Sequence, residues 1–546
     1  MNRARARRWA TVAVALGSLL IVITIFRTSL TDDEPFAYAY GRRVAFAGSF
    51  ARTAPIEGSK LPVLALNALP ERITAGLGLE RSAAGALLQW APLTPREREY
   101  LSAHLPLYAG RLVTILFYAA TCALVFCWGM EVYGPAGALG ATVLIAFFPT
   151  LLGHAGLVTT DAAATCTIFA AVYALARCLL DPTLERIVIA GVGCGAALLA
   201  KYSALALAPL AVVLAVIRTL TAEPIESKAR VAHASIVAVL LAGVVASTVL
   251  SAGYAFQHPL TRLSDLACAS RALQTLQAAI GALPLPLPRE FLTGLDVVLR
   301  LDQDRTGGGW IYLLGALSDH GFASYYLIAT VLKTPLPFLL LLLTRPWRRH
   351  RRYSDWVWLA PVLWLAVQLS LTLNSQVGLR YLLPAFPFLA LLAGAAWDHG
   401  RPPRWQHAAS ALAALCVLET AANCPRYLSY FNQLIGSRQQ AYRYLADSNL
   451  DWDQARFALW RWQERRGGRP YRLEPRELPS SGTVVVRASE FVGVFNLESY
   501  RWLRHAQARS AARVTGTIGD AFLVFEVDQG IGSFEKGGRP PGEGGG

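Results

Sequence analysis

The sequence predicts a polytopic α-helical membrane protein with about 11 spans, outer interfacial helices and a small C-terminal α/β domain. Three observations predict it. Of 546 residues, 54% are hydrophobic and 16% charged, and the mean hydropathy is +0.38, whereas soluble domains carry about 25% charge. The apolar residues fall in runs near the roughly 20 residues that a helical span needs. The arginines gather between those runs, as at Arg3–Arg8 and Arg345–Arg352, which is how cytoplasmic loops read. That pattern accounts for the net charge of +15 without nucleic acid, the partner a basic chain otherwise suggests.

Basic residues followed by the apolar run 10–26 resemble a secretory signal. The run is long for that role, and Phe26, Arg27 and Thr28 follow it in place of a small-residue cleavage site. It is read as an uncleaved first span. The eleven segments lie near 9–27, 110–132, 135–152, 162–180, 187–200, 203–218, 232–255, 322–344, 356–373, 379–397 and 406–423. The fifth and sixth are short and meet at Lys201, so a tight helical hairpin is expected there.

With the N-terminus cytoplasmic, the basic clusters at Arg218–Arg230, Arg345–Arg352 and Arg401–Arg404 fall on one side. The protein is then a multi-pass plasma (inner) membrane protein with an extracytoplasmic C-terminal region. Three long outer segments result, 28–109, 256–321 and 425–546, and long loops in compact proteins carry function or are disordered. The first two hold apolar and aromatic residues, as interfacial helices would. The third turns polar and carries the β-rich runs TVVVRA and DAFLVFEV before GGRPPGEGGG. The chain accordingly divides into a membrane domain at 1–424, a small α/β domain at 425–535 and a disordered Gly/Pro-rich tail at 536–546. The eight cysteines have no metal-ligand spacing. Cys268 and Cys424 face outward in this topology, paired or free.

Four motifs could carry chemistry. Asp32, Asp33 and Glu34 lie about six residues beyond the first span. Adjacent carboxylates disfavour one another's charge, which raises at least one pKa and suits a general base. The structural alternative is a cap, by Thr31 or Asp32, on a helix starting at Pro35. In HAGLVTTDAA, Asp161 begins an apolar helix, a costly place for a charge, unless it or Thr160 is only a cap. Lys60 and Lys201 lie at the outer boundary, against the usual charge bias. They suit an anionic partner such as a lipid phosphate, or they snorkel to the interface. The runs GLRYLLPAFPF, LKTPLPF, RYLSYFNQLIG and YRYLADSNLDWDQ sit at outer ends of later spans. Their Pro335, Pro337, Pro384 and Pro387 are expected to kink helices, which is tolerated beside neighbours or a cavity. Asp447, Asp451 and Asp453 lack the spacing and glycine of a calcium loop and suit a hydrogen-bonded turn. His154 and Arg380 are candidate substrate or structural residues.

Taken together, DDEP, KLPVLALNALP, H..LVTTDAA, GAALLAKYSALAL, LKTPLP, GLRYLLPAFPF and YLADSNLDWDQ, in this order, resemble bacterial members of glycosyltransferase family 39, of the GT-C superfamily. The family includes protein O-mannosyltransferases and aminoarabinose transferases that modify lipid A. The resemblance implies a GT-C-type bundle and an inverting transfer of sugar from a polyprenyl-phosphate donor to a hydroxyl on the extracytoplasmic face. It implies that Asp33 is the base, with Asp32 and Glu34 as neighbours, that Asp161 is a second acid at the reaction centre, and that Lys60 and Lys201 hold the donor phosphate. The acceptor class stays open among protein, lipid and glycan. Some GT-C enzymes need a divalent metal, but no ligand cluster here argues for one, and no other cofactor is implied. Two positions depart from the pattern. Phe36 and Tyr38 stand where some relatives have His or Arg, and Asp453 stands where many have glycine.

The competing reading is a transporter or flippase of a lipid-linked or polar solute. Such proteins place charges mid-membrane and often carry inverted repeats. Here the ionisable residues sit at outer boundaries and the halves show no convincing repeat.

Overall fold

The computed structural model describes residues 1–77, 92–222, 227–305, 309–344, 353–398, 400–477 and 481–528. The basic cluster at 345–352 and the tail expected at 536–546 lie outside these residues. Each of the eleven expected segments is helical. They form α1 (Arg3–Arg27), α3 (Leu105–Val132), α4 (Gly134–Ala146) with the short α5 (Pro149–His154), α6 (Asp161–Leu180), α7 (Leu184–Ala200), α8 (Leu207–Leu220) and α9 (Lys228–Gly253). Then follow α10 (Tyr325–Lys333) with α11 (Leu336–Leu343), α12 (Tyr353–Thr372), α13 (Phe386–Gly394) behind a 3-10 turn at Leu379–Ala385, and α14 (Pro403–Ala422). Among the described residues, seven helices are long and apolar enough to cross a membrane, and α10 with α11 makes an eighth if the bent pair is one span. The remaining three, α4, α7 and α14, are helical but shorter or less apolar.

Pro335 and Pro384 break the helix as expected, whereas Pro337 and Pro387 sit in the first turns of α11 and α13 and begin helices rather than kink them. At Thr334–Pro335 the chain bends by 113° between α10 and α11, because proline removes a helical donor and disfavours the helical conformation of the residue before it. Pro384 lies in the 3-10 turn before α13. The expected hairpin at Lys201 is corrected. The backbone extends at Lys201 and passes through a 3-10 turn, Tyr202–Ala206. Helix α7 then packs on α6 and α9, while α8 packs on α9 and α12. Broad apolar faces on both are better covered by these neighbours than by each other.

The first outer segment folds back over the bundle. Helix α2 (Glu34–Ala47) is followed by a 3-10 turn, Pro62–Ala68, which rests on α2 and α3. Two glycines permit this approach. A Cβ at Gly41 would stand 2.2 Å from the Leu64 carbonyl oxygen, and one at Gly110 2.6 Å from that of Asn67. Gly41→Ala is therefore expected to lower stability by about 1–3 kcal/mol, as overpacking does, read as a lower thermal midpoint in detergent. The second outer segment holds helices at Arg271–Ile280 and Arg289–Gln303 and two short antiparallel ladders. Cys268 and Cys424 are both free thiols.

Beyond α14, helix α15 (Arg456–Arg465) precedes a four-stranded sheet of β1 (Arg472–Leu473), β2 (Gly482–Arg487), β3 (Ala512–Ile518) and β4 (Phe522–Val527). Its order is β1-β2-β4-β3, parallel between β1 and β2 and antiparallel elsewhere. The two β-rich runs seen in the sequence are the central pair. Val484 and Val486 of β2 and Phe525 of β4 join the core that runs through the helices, so the sheet is built onto the bundle rather than hung from it.

Candidate functional site

The acidic triplet after α1 is split three ways by its surroundings. Glu34 is fully buried, and its two oxygens are taken by Arg111 of α3, at 2.8 and 2.5 Å. It also accepts from the backbone N–H of Val158 at 2.9 Å, and from the N–H and hydroxyl of Thr31 at 2.8 and 3.2 Å. This corrects the expectation that Glu34 belongs with the catalytic acids. With every lone pair engaged and no exposed surface, it is an anchor.

The cap expected of Thr31 or Asp32 is not formed, and the Thr31 hydroxyl donates to Glu34 instead. Asp33 is the N-cap residue and makes no capping bond. Its carboxylate instead faces inward, 3.6 Å from Lys60 Nζ and 3.4 Å from Arg380. Burial alone would raise its pKa, but Lys60 and Arg380 outweigh burial and hold it below the ordinary value. Asp32 is exposed and turns toward Arg487 and Arg456. Desolvation and its neighbour Asp33 push its carboxyl up. Desolvation first, and Asp33 after it, therefore raise Asp32, while the residue that faces the site is lowered.

Asp161 opens α6, where the helix N-terminus favours a negative charge. Neither it nor Thr160 caps the helix through a side chain. Its carboxylate lies 2.5 Å from Lys201 Nζ, 3.5 Å from His154 Nδ1 and 3.9 Å from Arg380. Lys201 reaches it because the chain breaks from helix at that residue. Arg380 is thus shared by Asp33 and Asp161. Its guanidinium stacks over Trp452 at 4.1 Å and lies 5.3 Å from the Tyr381 ring, while Lys201 lies 4.6 Å from the same tyrosine. Planar stacking of this kind holds a guanidinium without satisfying its donors, and Arg380 Nε is buried with no hydrogen-bond acceptor. His154 Nδ1 is likewise without a hydrogen-bond partner.

The structure therefore brings together six of the residues marked in the sequence, Asp33, Lys60, Asp161, Lys201, His154 and Arg380, with Arg380 as the bridge. Three fixed cations surround two carboxylates. The Asp33 side chain is 26% exposed and that of Asp161 only 3%, so Asp33 is the carboxylate an incoming molecule can meet. Asp161 works on Lys201, Arg380 and His154.

The last two outer motifs form the wall behind Arg380. Lys333, at the end of α10, donates to the carbonyls of Leu428 (2.7 Å) and Asn449 (2.5 Å). The Asn449 side chain accepts from the backbone N–H of Leu379 at 3.0 Å. These bonds bind 428–449 to the proline bend and to the turn that carries Arg380. Asp447 and Asp451 are raised to about 7 by burial, which outweighs Arg380 for Asp447 and Arg487 for Asp451. Asp447 faces Arg380 from behind, and Asp451 sits in the turn the sequence suggested. Asp453, standing where glycine is the pattern, has φ +64°, a conformation that glycine adopts freely and aspartate tolerates. The site draws its wall from residues beyond 424, so the C-terminal region is more than an appendage. Among the described residues no group of three or more His, Cys, Asp or Glu is placed to hold a metal ion.

Residues 103–251 match the family model of dolichyl-phosphate-mannose-protein mannosyltransferases. No curated protein matches the chain in sequence. Two similar solved structures are crystal structures of ArnT from Cupriavidus metallidurans, one bound to undecaprenyl phosphate and one in the apo state. They are 12% and 13% identical to this chain and cover 95% and 96% of it and 98% of their own chains, each with a TM-score of 0.31. A superposition that loose carries no residue correspondence.

Proposed function

We propose, from the match of residues 103–251 to the dolichyl-phosphate-mannose-protein mannosyltransferase family, that this chain is an inverting glycosyltransferase of the family-39 type. It moves a sugar from a polyprenyl-phosphate donor to an acceptor hydroxyl on the extracytoplasmic face of the inner membrane. The N-terminus is cytoplasmic in this reading, 1–424 is the transferase domain, and 425–535 is a small outer domain that contributes to the site's wall.

The observation that carries the reading is the excess of buried cation beside a reachable carboxylate. Lys60, Lys201 and Arg380 face Asp33 and Asp161, Asp447 meets Arg380 only from behind with its carboxyl raised to about 7, and a buried Arg380 donor lacks an acceptor. A phosphate oxygen supplies what that arrangement is missing. Asp33 accepts the proton of the acceptor hydroxyl as its oxygen bonds to the anomeric carbon. The bond from that carbon to the phosphate oxygen breaks on the opposite face, which inverts the centre. The leaving phosphate takes the electron pair, and the three cations stabilise the charge that grows on it. Asp161 is a positioning residue that keeps Lys201 and Arg380 aimed.

The test is to incubate the purified protein with a panel of radiolabelled polyprenyl-phosphate sugars and membrane extract, then identify the labelled product. Transfer of label to an extract component, lost on Arg380→Gln, is the expected result. Lipid or solute flux into proteoliposomes without any transfer product would overturn it in favour of a transporter.

A further inference from the structure

We infer a second anion site, distinct from the Asp33–Asp161 centre, that binds the phosphate group of an anionic lipid. Two helices that end on the same side of the bundle frame it. Arg27 is the last residue of α1, and Arg426 follows α14. Between them and α15 lies a cavity of about 220 Å³. Four arginines line it, Arg27, Arg426, Arg461 and Arg465, with no aspartate or glutamate among the lining residues. Arg461 and Arg465 are four apart on α15 and so share a face.

Two of the four charges are already matched. Arg461 lies 2.6 Å from the buried Glu97, and Arg426 lies 3.4 Å from Asp520. Among the described residues, neither Arg27 nor Arg465 has a carboxylate within ion-pair distance. Two unmatched guanidinium groups thus converge on one hollow at the end of a span. The floor is apolar, with Leu157 and Leu428 on it. These two residues pack against Trp452, whose ring also meets Arg380 and His154. One apolar wall therefore separates the cavity from the centre described above.

Snorkelling accounts for one arginine at a span's end. It does not account for four that line one cavity, two of them on α15 rather than at the end of a span. Guanidinium forks match phosphate oxygens in pairs, and basic pockets at span ends are where anionic headgroups bind. The apolar floor suits the carbon chain next to such a headgroup. The site is independent of which sugar or acceptor the main centre uses.

The experiment uses the full chain in a neutral detergent, titrated with short-chain phosphatidic acid, with inorganic phosphate as competitor. Arg27→Gln/Arg465→Gln is expected to weaken lipid binding about 30-fold, taking both charges as acting near a membrane surface. Arg465→Gln alone, at an exposed side chain that pairs with nothing buried, is expected to weaken it about fivefold. Lys201→Gln, which alters only the main centre, is expected to leave this binding in place. Competition by inorganic phosphate would assign the pocket to free phosphate, and its failure to compete would assign it to the lipid headgroup. Unchanged affinity in both arginine variants, or binding abolished by Lys201→Gln alone, would overturn the site.

Discussion

Asp33→Asn is expected to lower sugar transfer by about 10²–10⁴-fold, the range for loss of a positioned general base, while membrane insertion is retained. The thermal midpoint is expected to fall less than in Glu34→Gln, since the Asp33 side chain is 26% exposed. Asparagine keeps the shape and can still accept from Arg380, but it cannot take the acceptor's proton. Full activity in this variant would remove Asp33 from the mechanism.

The pH dependence is the more searching measurement. A carboxylate held below its usual pKa is a weak base, and in the empty site Lys60 and Arg380 hold Asp33 there. A donor phosphate arriving between those cations competes for them, and its own negative charge favours protonation of Asp33. The base therefore strengthens when the donor is in place. The ionised form is the active one, so activity is lost as pH falls through the pKa of Asp33. In the donor-free enzyme that loss falls below the usual carboxylate range, and in the donor complex it falls at higher pH. The acid limb of kcat/KM for the donor, which reports the free enzyme, is expected to lie below the acid limb of kcat, which reports the complex. Coincident limbs would mean that Lys60 and Arg380 do not exchange partners.

How much of this was legible in the sequence depends on the range of each interaction. The apolar runs were legible because a span is a local property of about 20 residues, and every expected segment is helical. Asp33, Asp161, Lys60 and Lys201 were legible because each is a charge where charge is costly. Their partners were not. Arg380 is one arginine in GLRYLLPAFPF, and nothing local says that it bridges carboxylates more than 200 positions upstream. Arg111, in YAGRLVTILF, is the same kind of signal and went unread: an arginine nearly two turns inside an apolar helix needs a buried partner. The triplet at 32–34 looked like one acidic group because the residues are adjacent. In the fold their side chains point to a surface arginine, to the site and to the core, and only tertiary contacts decide that.

The core-directed member yields the largest stability effect. Glu34→Gln is expected to cost about 3–5 kcal/mol, the usual result of removing one partner of a buried ion pair. Both side chains are 0% exposed, so water cannot replace the lost charge on Arg111. The pair also ties four pieces of chain together. Arg111 donates to the carbonyl of Ser29 at 2.8 Å and approaches that of Ile25 at 3.3 Å, at the end of α1. Glu34 begins α2 and takes the N–H of Val158, three residues before Asp161. The carboxylates of Asp33 and Asp161 are therefore set relative to each other through this one buried pair. Glu34→Gln is expected to lower the thermal midpoint in detergent and to reduce transfer in the molecules that remain folded. Glu34→Met/Arg111→Met, which removes both charges, is expected to recover much of the midpoint, since the unmatched charge rather than the missing attraction accounts for most of the cost. It is not expected to recover transfer, because methionine cannot hold Val158 and Ser29 in register. A double variant as unstable as Glu34→Gln would show that hydrogen bonds to the four segments, and not the charge on Arg111, set the stability of this corner. A double variant with full transfer would show that the corner does not position the site.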